Sequence, residues 1–200
     1  MKPILLDLPT PITTPRLILR SPQIGDGIII NEAILESFDQ LNPFMSWAKE
    51  KPTIDDSEEF VRQAAANWIL KKNDEPYLPL FMFDRNTARF IGATGFDYLN
   101  WVVPYVEIGY WIRSSCSGQG LVTEAVNAIT RYAFKQLGVK RTEITCDIDN
   151  IRSKKIPERL GYNLTSTMKS NKVKVTGETG DMFVFTRHNL DQLPDLLVSW

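Results

Sequence analysis

The residues best placed to do chemistry are Gly118, Gln119 and Gly120, set between an alternating apolar run and a helical one. A helix that begins at such a turn points unpaired backbone N–H groups outward, with the positive end of its dipole behind them. That arrangement binds phosphate. A Gly-x-Gly turn also serves as a plain strand-to-helix connection, so the glycines alone leave both readings open. Other chemistries are easier to exclude. His188 is the only histidine, in TRHNL near the C-terminus, and a Ser-His-Asp triad or a His-containing metal site would have to use it. A surface position at a strand end is expected for it. Cys116 and Cys146 are the only cysteines, too few for a disulfide framework or a cysteine zinc site. Cys116 lies beside the helix start, where thiolates are favoured. Metal-free chemistry without imidazole is the expectation.

The elements that must hold this turn can be read from periodicity. Val106, Ile108, Tyr110 and Ile112 fall on one face of a strand, and Glu107, Gly109 and Trp111 on the other. Val122, Ala125, Val126, Ile129, Ala133 and Leu137 then recur at helical spacing until Gly138. Upstream, Leu17 and Leu19 alternate with Arg16 and Arg20 in a first strand, followed by a helix from about Asp26 to Phe38. A proline-broken connection carries Phe44, Met45 and Trp47, side chains that fill core or wall a pocket. Phe60, Val61, Ala64, Ala65, Trp68 and Ile69 mark a second helix, with Thr53 and Asp56 spaced as a capping box. Residues 77–100 read as a hairpin around Asp84-Arg85-Asn86, Arg141 to Asp147 as a strand, and Asn150 to Gly161 as a short helix. Two strands around a hairpin complete the pattern. The tail QLPDLLVSW needs a surface to pack on, either this domain or a neighbouring chain. The order is that of a mixed α/β single domain.

Size and charge agree with one soluble domain. The chain has 200 residues and a formal net charge of −1, which gives no reason to expect a nucleic-acid partner. No apolar run approaches the length that crosses a membrane, so no membrane partner is expected either. The N-terminal MKPILLDLPTP lacks a signal-peptide pattern, and a cytoplasmic location is expected.

Several separated motifs together carry a resemblance. EIGYWI, then SGQGLVTEAVNAITRYAF, then DIDNIRSKKIPERLGY resemble the core of the GNAT superfamily of acyl-CoA N-acyltransferases. TPRLILR and LNPFMSWAKEKPTIDDSEEFVRQA resemble its branch of ribosomal-protein N-terminal alanine/serine acetyltransferases, so the likeness spans about residues 13–187. It implies one GNAT-type domain over 1–200 with an apolar tail at 188–200, built on a splayed, mixed, mostly antiparallel α/β sheet flanked by helices. Acetyl-CoA is the implied co-substrate, with no metal. Its pantetheine would lie along Trp111 and Ile112, and its pyrophosphate on Ser117, Gly118, Gln119, Gly120, Leu121, Val122 and Thr123. Asn150 and Ser153 match the family's Asn-x-x-Ser near the thioester. Ser117 and Val122 depart from the usual loop, which begins with Gln or Arg and ends with Gly or Ala. Pro157 stands where many members have a tyrosine that protonates the thiolate, and it should free the carbonyl of Ser153. A serine at the place of Ser153 has been proposed for that acid role in this branch. The glutamate proposed as its partner has no clear match near Lys172 and Val173.

The implied reaction needs a neutral amine, a donor for the developing oxyanion, and a proton for the thiolate. A backbone N–H of the splayed strand can supply the oxyanion contact. A protein α-amino group, with a pKa near about 7.7–8.0, costs only about 1 kcal/mol to deprotonate at neutral pH, against about 4.6 kcal/mol for a lysine amine. Glu107 on the central strand is the candidate base and Ser153 the candidate acid, the latter competing with a helix-cap role. Phe44 and Trp47 are candidates for the acceptor pocket, while Trp68 is expected in the core. Glu124 is expected as a partner of the helix dipole. Two functions stay open: an N-acetyltransferase acting on a protein N-terminus or a small amine, and a CoA-binding module with little or no catalysis. The tail and edge strands permit a homodimer.

Overall fold

Among the described residues, strands and helices follow the apolar periodicities. The computed structural model describes residues 2–71, 77–174 and 177–200. Strands β1 (Ile12–Thr13) and β2 (Leu17–Arg20) precede helices α1 (Gly27–Leu41) and α2 (Ile54–Leu70). Then come β3 (Leu78–Asp84), β4 (Phe90–Asn100), β5 (Tyr105–Ile112) and α3 (Leu121–Tyr132). The chain closes with β6 (Arg141–Asp147), α4 (Ile151–Arg159), β7 (Asn163–Val173) and β8 (Thr179–Arg187). All strands of the described residues join one sheet in the order β1-β2-β3-β4-β5-β6-β8-β7. Neighbours are antiparallel except β5 and β6, which run parallel.

That parallel pair sets the shape of the site. It is joined only over Tyr105↔Arg141, Val106↔Thr142 and Glu107↔Glu143. Beyond Glu107, β5 continues to Ile112 and β6 to Asp147 without further pairing to each other, so the sheet splits. This is the splayed, mostly antiparallel α/β sheet that the resemblance implied.

Alternation along the strands sends side chains to two cores. Leu80, Met82, Val106 and Ile108 pack with Ala125, Val126 and Ile129 of α3 in the larger one. Phe81, Phe83, Phe90 and Ala93 pack with Ile30, Ala33 and Ile34 of α1 and Val61 of α2 on the opposite face, where Trp111 joins them. Trp68 is in the core, as expected, and its indole N–H donates to the carbonyl of Pro79 at 2.6 Å. The capping box of α2 is formed: Thr53 Oγ1 accepts from the Asp56 amide at 3.1 Å, and an Asp56 carboxylate oxygen accepts from the Thr53 amide at 2.8 Å.

Two boundaries differ from expectation. α1 runs to Leu41 rather than Phe38, carried on by the burial of Leu41. The helical stripe after α3 continues to Leu137, but as a π turn over Ala133–Leu137 that ends at Gly138. The tail folds back on its own domain, one of the two surfaces the sequence left open. The backbone of Ser199 pairs with Thr13 at 2.7 and 3.0 Å, and Trp200 meets Tyr132 edge-on with ring centroids 5.5 Å apart. His188 is exposed just past β8, as expected. No helix of the described residues is long and apolar enough to cross a membrane.

Candidate active site

The first wall of the site is the glycine turn. Gly120, at φ 77°, caps α3 in the left-handed region, where a side chain would be strained. The first bond of the helix runs from the Glu124 amide to the Gly120 carbonyl at 3.1 Å. The amides of Leu121, Val122 and Thr123 therefore have no carbonyl of their own helix. The side chains of Leu121 and Val122 pack into the larger core, which leaves the loop to approach the cleft through its backbone. Two struts hold the turn. Glu124 accepts from the Thr14 hydroxyl at 2.7 Å and the Arg16 Nε at 2.6 Å, while Arg16 Nη1 donates to the Gln119 carbonyl at 2.9 Å. Glu124 is thus an anchor for the loop more than a simple dipole partner. On the other side, Glu36 of α1 accepts from Arg113 Nε at 2.5 Å and from the Ser115 amide at 3.0 Å. Burial alone would raise the Glu36 pKa, but Ser115 and Arg113 outweigh it and hold the carboxyl at about 2.

A cleft of about 870 Å³ opens between this turn, the end of β5 and α4. Its walls include Phe44, Trp111, Ile112, Ser117, Gly118, Gly120, Leu121, Val122, Thr123, Asn150 and Ser153. Of the residues expected at a cofactor, only Gln119 is off the wall. Buried hydroxyls of Thr123 and Ser114 face no partner among the described residues, although both residues line the cleft. Arg152, Lys155 and Arg159 of α4 line it too. Orphan amides, unpartnered hydroxyls and three cations suit a polyphosphate. Those cations escaped the sequence reading, yet their spacing in IRSKKIPER places them on one helix face.

At the inner end, Asn150 Oδ1 accepts from the Ser153 amide at 3.1 Å, so Asn150 is the cap of α4 and Ser153 is not. Pro157 has no N–H to offer the carbonyl of Ser153. The Tyr110 hydroxyl donates to that carbonyl instead, at 3.0 Å, and the Ser153 hydroxyl donates to the Tyr110 oxygen at 3.2 Å. Burial raises the pKa of Tyr110. Burial also pushes the Cys146 thiol up to about 11, so it stays protonated at neutral pH. Cys116 is buried in the larger core.

A second cavity of about 240 Å³ shares Phe44, Met45, Tyr110, Asn150 and Ser153 with the cleft. Ser153 therefore stands where the two meet. Trp47, Asp97, Gly109, Thr145, Asp147 and Lys172 complete much of its wall. Trp47 is half exposed, with its ring 6.0 Å from Trp111. Lys172 Nζ donates to the Phe44 carbonyl at 2.8 Å and pairs with Asp147 at 3.4 Å, fastening β7 to the α1–α2 connection. Glu107 is on neither wall. Its carboxylate accepts a very short hydrogen bond from the Thr145 hydroxyl, which clasps β5 to β6 where their pairing ends.

Asp97 is on the wall, and the sequence reading missed it. β4 bulges there: Phe96 pairs with Ile108 and Tyr98 with Glu107, so Asp97 is the extra residue. Its carboxylate lies over Gly109, where a Cβ would come within 1.8 Å of Oδ2. Asp97 is exposed and lines the cavity. Surrounding protein and the charge of Glu107 push its pKa up to about 7. A bulge leaves no mark in the letters FDYLN, so no sequence signal was available.

Comparison with known proteins adds a family. Residues 16–163 match the acetyltransferase (GNAT) domain. The chain is 32% identical over 81 residues to a putative ribosomal N-acetyltransferase, YdaF, of Bacillus subtilis, covering 40% of this chain and 43% of that protein. It is 27% identical over 118 residues to the ribosomal-protein-serine acetyltransferase of Escherichia coli, covering 59% of this chain and 65% of that protein. These matches thus span between two fifths and two thirds of each relative. Among solved structures, the microcin C7 self-immunity acetyltransferase MccE in complex with acetyl-CoA and AMP has a TM-score of 0.78 at 23% identity, over 88% of this chain and 93% of that one. The ribosomal L7/L12 alpha-N-protein acetyltransferase RimL in complex with coenzyme A has a TM-score of 0.79 at 20% identity, over 92% and 98%. Identities this low establish the shared fold.

Proposed function

The chain belongs to the acetyltransferase (GNAT) domain family, and we propose that it transfers an acetyl group from acetyl-CoA to an amine, above all the α-amino group of a protein N-terminus. One observation carries the reading: two cavities meet at Ser153, one lined by the glycine turn with Arg152, Lys155 and Arg159 beside Asp39 and Asp149, the other by Asp97 and Asp147 beside Lys172.

The residues present fit acetyl-CoA. The amides of 118–123, with Arg152, Lys155 and Arg159, would hold its phosphates, while the Ser117 amide is already bonded to the Ser114 carbonyl. The backbone at Trp111 and Ile112 has no β6 partner, so its polar groups on that side are free for the pantetheine amides. Val122 departs from the family's small residue, but its side chain is turned into the core and leaves the loop backbone clear. When bound, acetyl-CoA supplies an activated acetyl group and a thiolate leaving group. The chain's own part is to move protons and exclude water. A carboxylate at the acceptor chamber receives the proton of the amine, and Ser153 Oγ, hydrogen-bonded to Tyr110, delivers one to the departing sulfur. Phe44 and Trp47 wall the acceptor, and the Lys172 bond to Phe44 closes the chamber over it.

The modest size of the second cavity also favours small amines as acceptors, and MccE, a structural neighbour, is described as an immunity protein against microcin C7. Calorimetric titration with acetyl-CoA and with coenzyme A, followed by thiol release with amines, separates these cases. We expect micromolar binding, and faster release with Ala- and Ser-initiated tetrapeptide amides than with N-blocked lysine peptides. Release only with small amines would move the substrate class. Tight binding with no release would make the chain a CoA-binding module, and no binding up to millimolar would end the acetyl-CoA reading.

A further inference from the structure

We propose that Asp97 is the catalytic residue that takes the proton from the acceptor amine, and that Glu107 serves beside it as a fixed negative charge. The inference rests on the acetyltransfer reading above and assigns its base.

Access is the first argument. Asp97 shares the wall of the second cavity with Phe44, Trp47 and Ser153, whereas Glu107 lines neither cavity. An amine seated in that chamber meets Asp97. The second argument is engagement. One oxygen of Glu107 is committed to the Thr145 hydroxyl, a contact that holds the split strands together. No donor among the described residues satisfies the Asp97 carboxylate, which leaves its lone pairs for a ligand. The third argument is that the position is built. An inserted residue in β4 aims the side chain, and a glycine opposite makes the room; any side chain at 109 would overlap the carboxylate.

The surrounding charges set its behaviour. Tyr77 ahead of β3, Glu107 and Tyr110 of β5, Cys146 and Asp147 of β6, and Lys172 of β7 face this chamber or interact with Asp97. Asp147 is already paired with Lys172, so the uncompensated charge lies at Asp97 and Glu107. An ammonium ion is therefore the form of the substrate that the chamber attracts. Asp97, poised near neutrality, is well matched to an α-amino group and poorly matched to a lysine amine at about 10.4. The protons balance. From the ammonium a first proton passes to an Asp97 oxygen and on to solvent, which frees the nitrogen lone pair; a second passes to Asp97 as that lone pair forms the N–C bond and the C–S bond breaks. The sulfur takes one from Ser153 Oγ, which water reprotonates, and Asp97 returns its proton to solvent after release.

The test compares wild type, Asp97→Asn and Glu107→Gln in three measurements. These are acetyl-CoA binding by calorimetry, thiol release with an Ala-initiated tetrapeptide amide across pH 5–9, and the carboxyl titration of ¹³C-labelled aspartates. In wild type we expect an aspartate titrating near 7 and kcat/KM falling below that pH. Asp97→Asn should lose both, with kcat down by about 10²-fold or more while acetyl-CoA binding is kept. Glu107→Gln removes a like charge, so it should move the titration and the acidic limb together to lower pH, by about one unit. A limb set by the substrate's own amine would stay where it was. If Asp97→Asn keeps the limb and Glu107→Gln abolishes it, Glu107 is the base and the assignment to Asp97 is wrong. Should Asp97→Asn fail to fold, the paired shift in Glu107→Gln still decides the matter. If wild type acetylates no amine, the acetyltransfer reading itself has failed, an outcome distinct from the others.

Discussion

With no N–H at Pro157, the carbonyl of Ser153 lacks its helical donor, and the Tyr110 hydroxyl supplies a replacement at 3.0 Å. The same hydroxyl accepts from Ser153 Oγ, so one tyrosine satisfies the backbone of α4 and orients the side chain at the junction of the cavities. Tyr110→Phe should therefore cost about 1–3 kcal/mol, since it strands a half-buried carbonyl. Pro157→Ala returns an amide to position 157, so the double variant should recover part of that loss, with a coupling of about 0.5–3 kcal/mol in denaturant unfolding. Strictly additive costs would mean that the tyrosine is not substituting for the missing amide. The freed carbonyl was legible in the sequence, because proline's lack of a donor is local chemistry. Its partner was not, because Tyr110 lies on β5 and reaches Ser153 only across the split.

Among the elements, the glycine turn depends on the neighbours that brace it. α1 contributes Glu36, which binds Arg113 and Ser115 just before the turn, and the β1–β2 region contributes Thr14 and Arg16, which bind Glu124 just after it. The Glu36 pKa is lowered from 4.5 to about 2 in the fold, against the effect of burial, by Ser115 and Arg113. A carboxyl whose folded pKa is depressed contributes stability that is full above its unfolded pKa and lost as pH falls through the folded one. Glu36→Gln should thus destabilise the protein by about 1–2 kcal/mol at pH 7, after allowance for solvent screening. The difference from wild type should shrink below about pH 4.5 and vanish near pH 2. Melting temperatures measured across that range check it; a deficit independent of pH would assign the loss to packing instead. The strand, turn and helix were each readable from period and glycine placement. The braces were not, since residues as far apart as Glu36 and Ser115 reveal no pairing in one sequence.

Across the whole molecule, the tail closes the face of the sheet that carries α3. Leu193 is buried, Asn127 and Arg131 hold the Pro194 carbonyl at 2.7 and 2.9 Å, and Trp200 packs on Tyr132. These contacts fall on the C-terminal half of α3, away from its amide-bearing start. Removing residues 196–200 should lower the melting temperature by about 2–4 °C for each kcal/mol lost and leave acetyl-CoA affinity within about twofold, by the independence of distant sites. A large loss of affinity would show that the tail supports the loop. By itself the sequence determined the elements, the glycine turn between β5 and α3, and the family resemblance, because propensity, periodicity and composition are local properties. Only the tertiary structure decided that β5 and β6 part after Glu107, that Asn150 rather than Ser153 caps α4, and that the tail returns to its own domain. It alone brought Asp97 to the wall of the second cavity. Each of these depends on strand register or on contacts between distant segments, and the energies that select them arise only once the chain is packed.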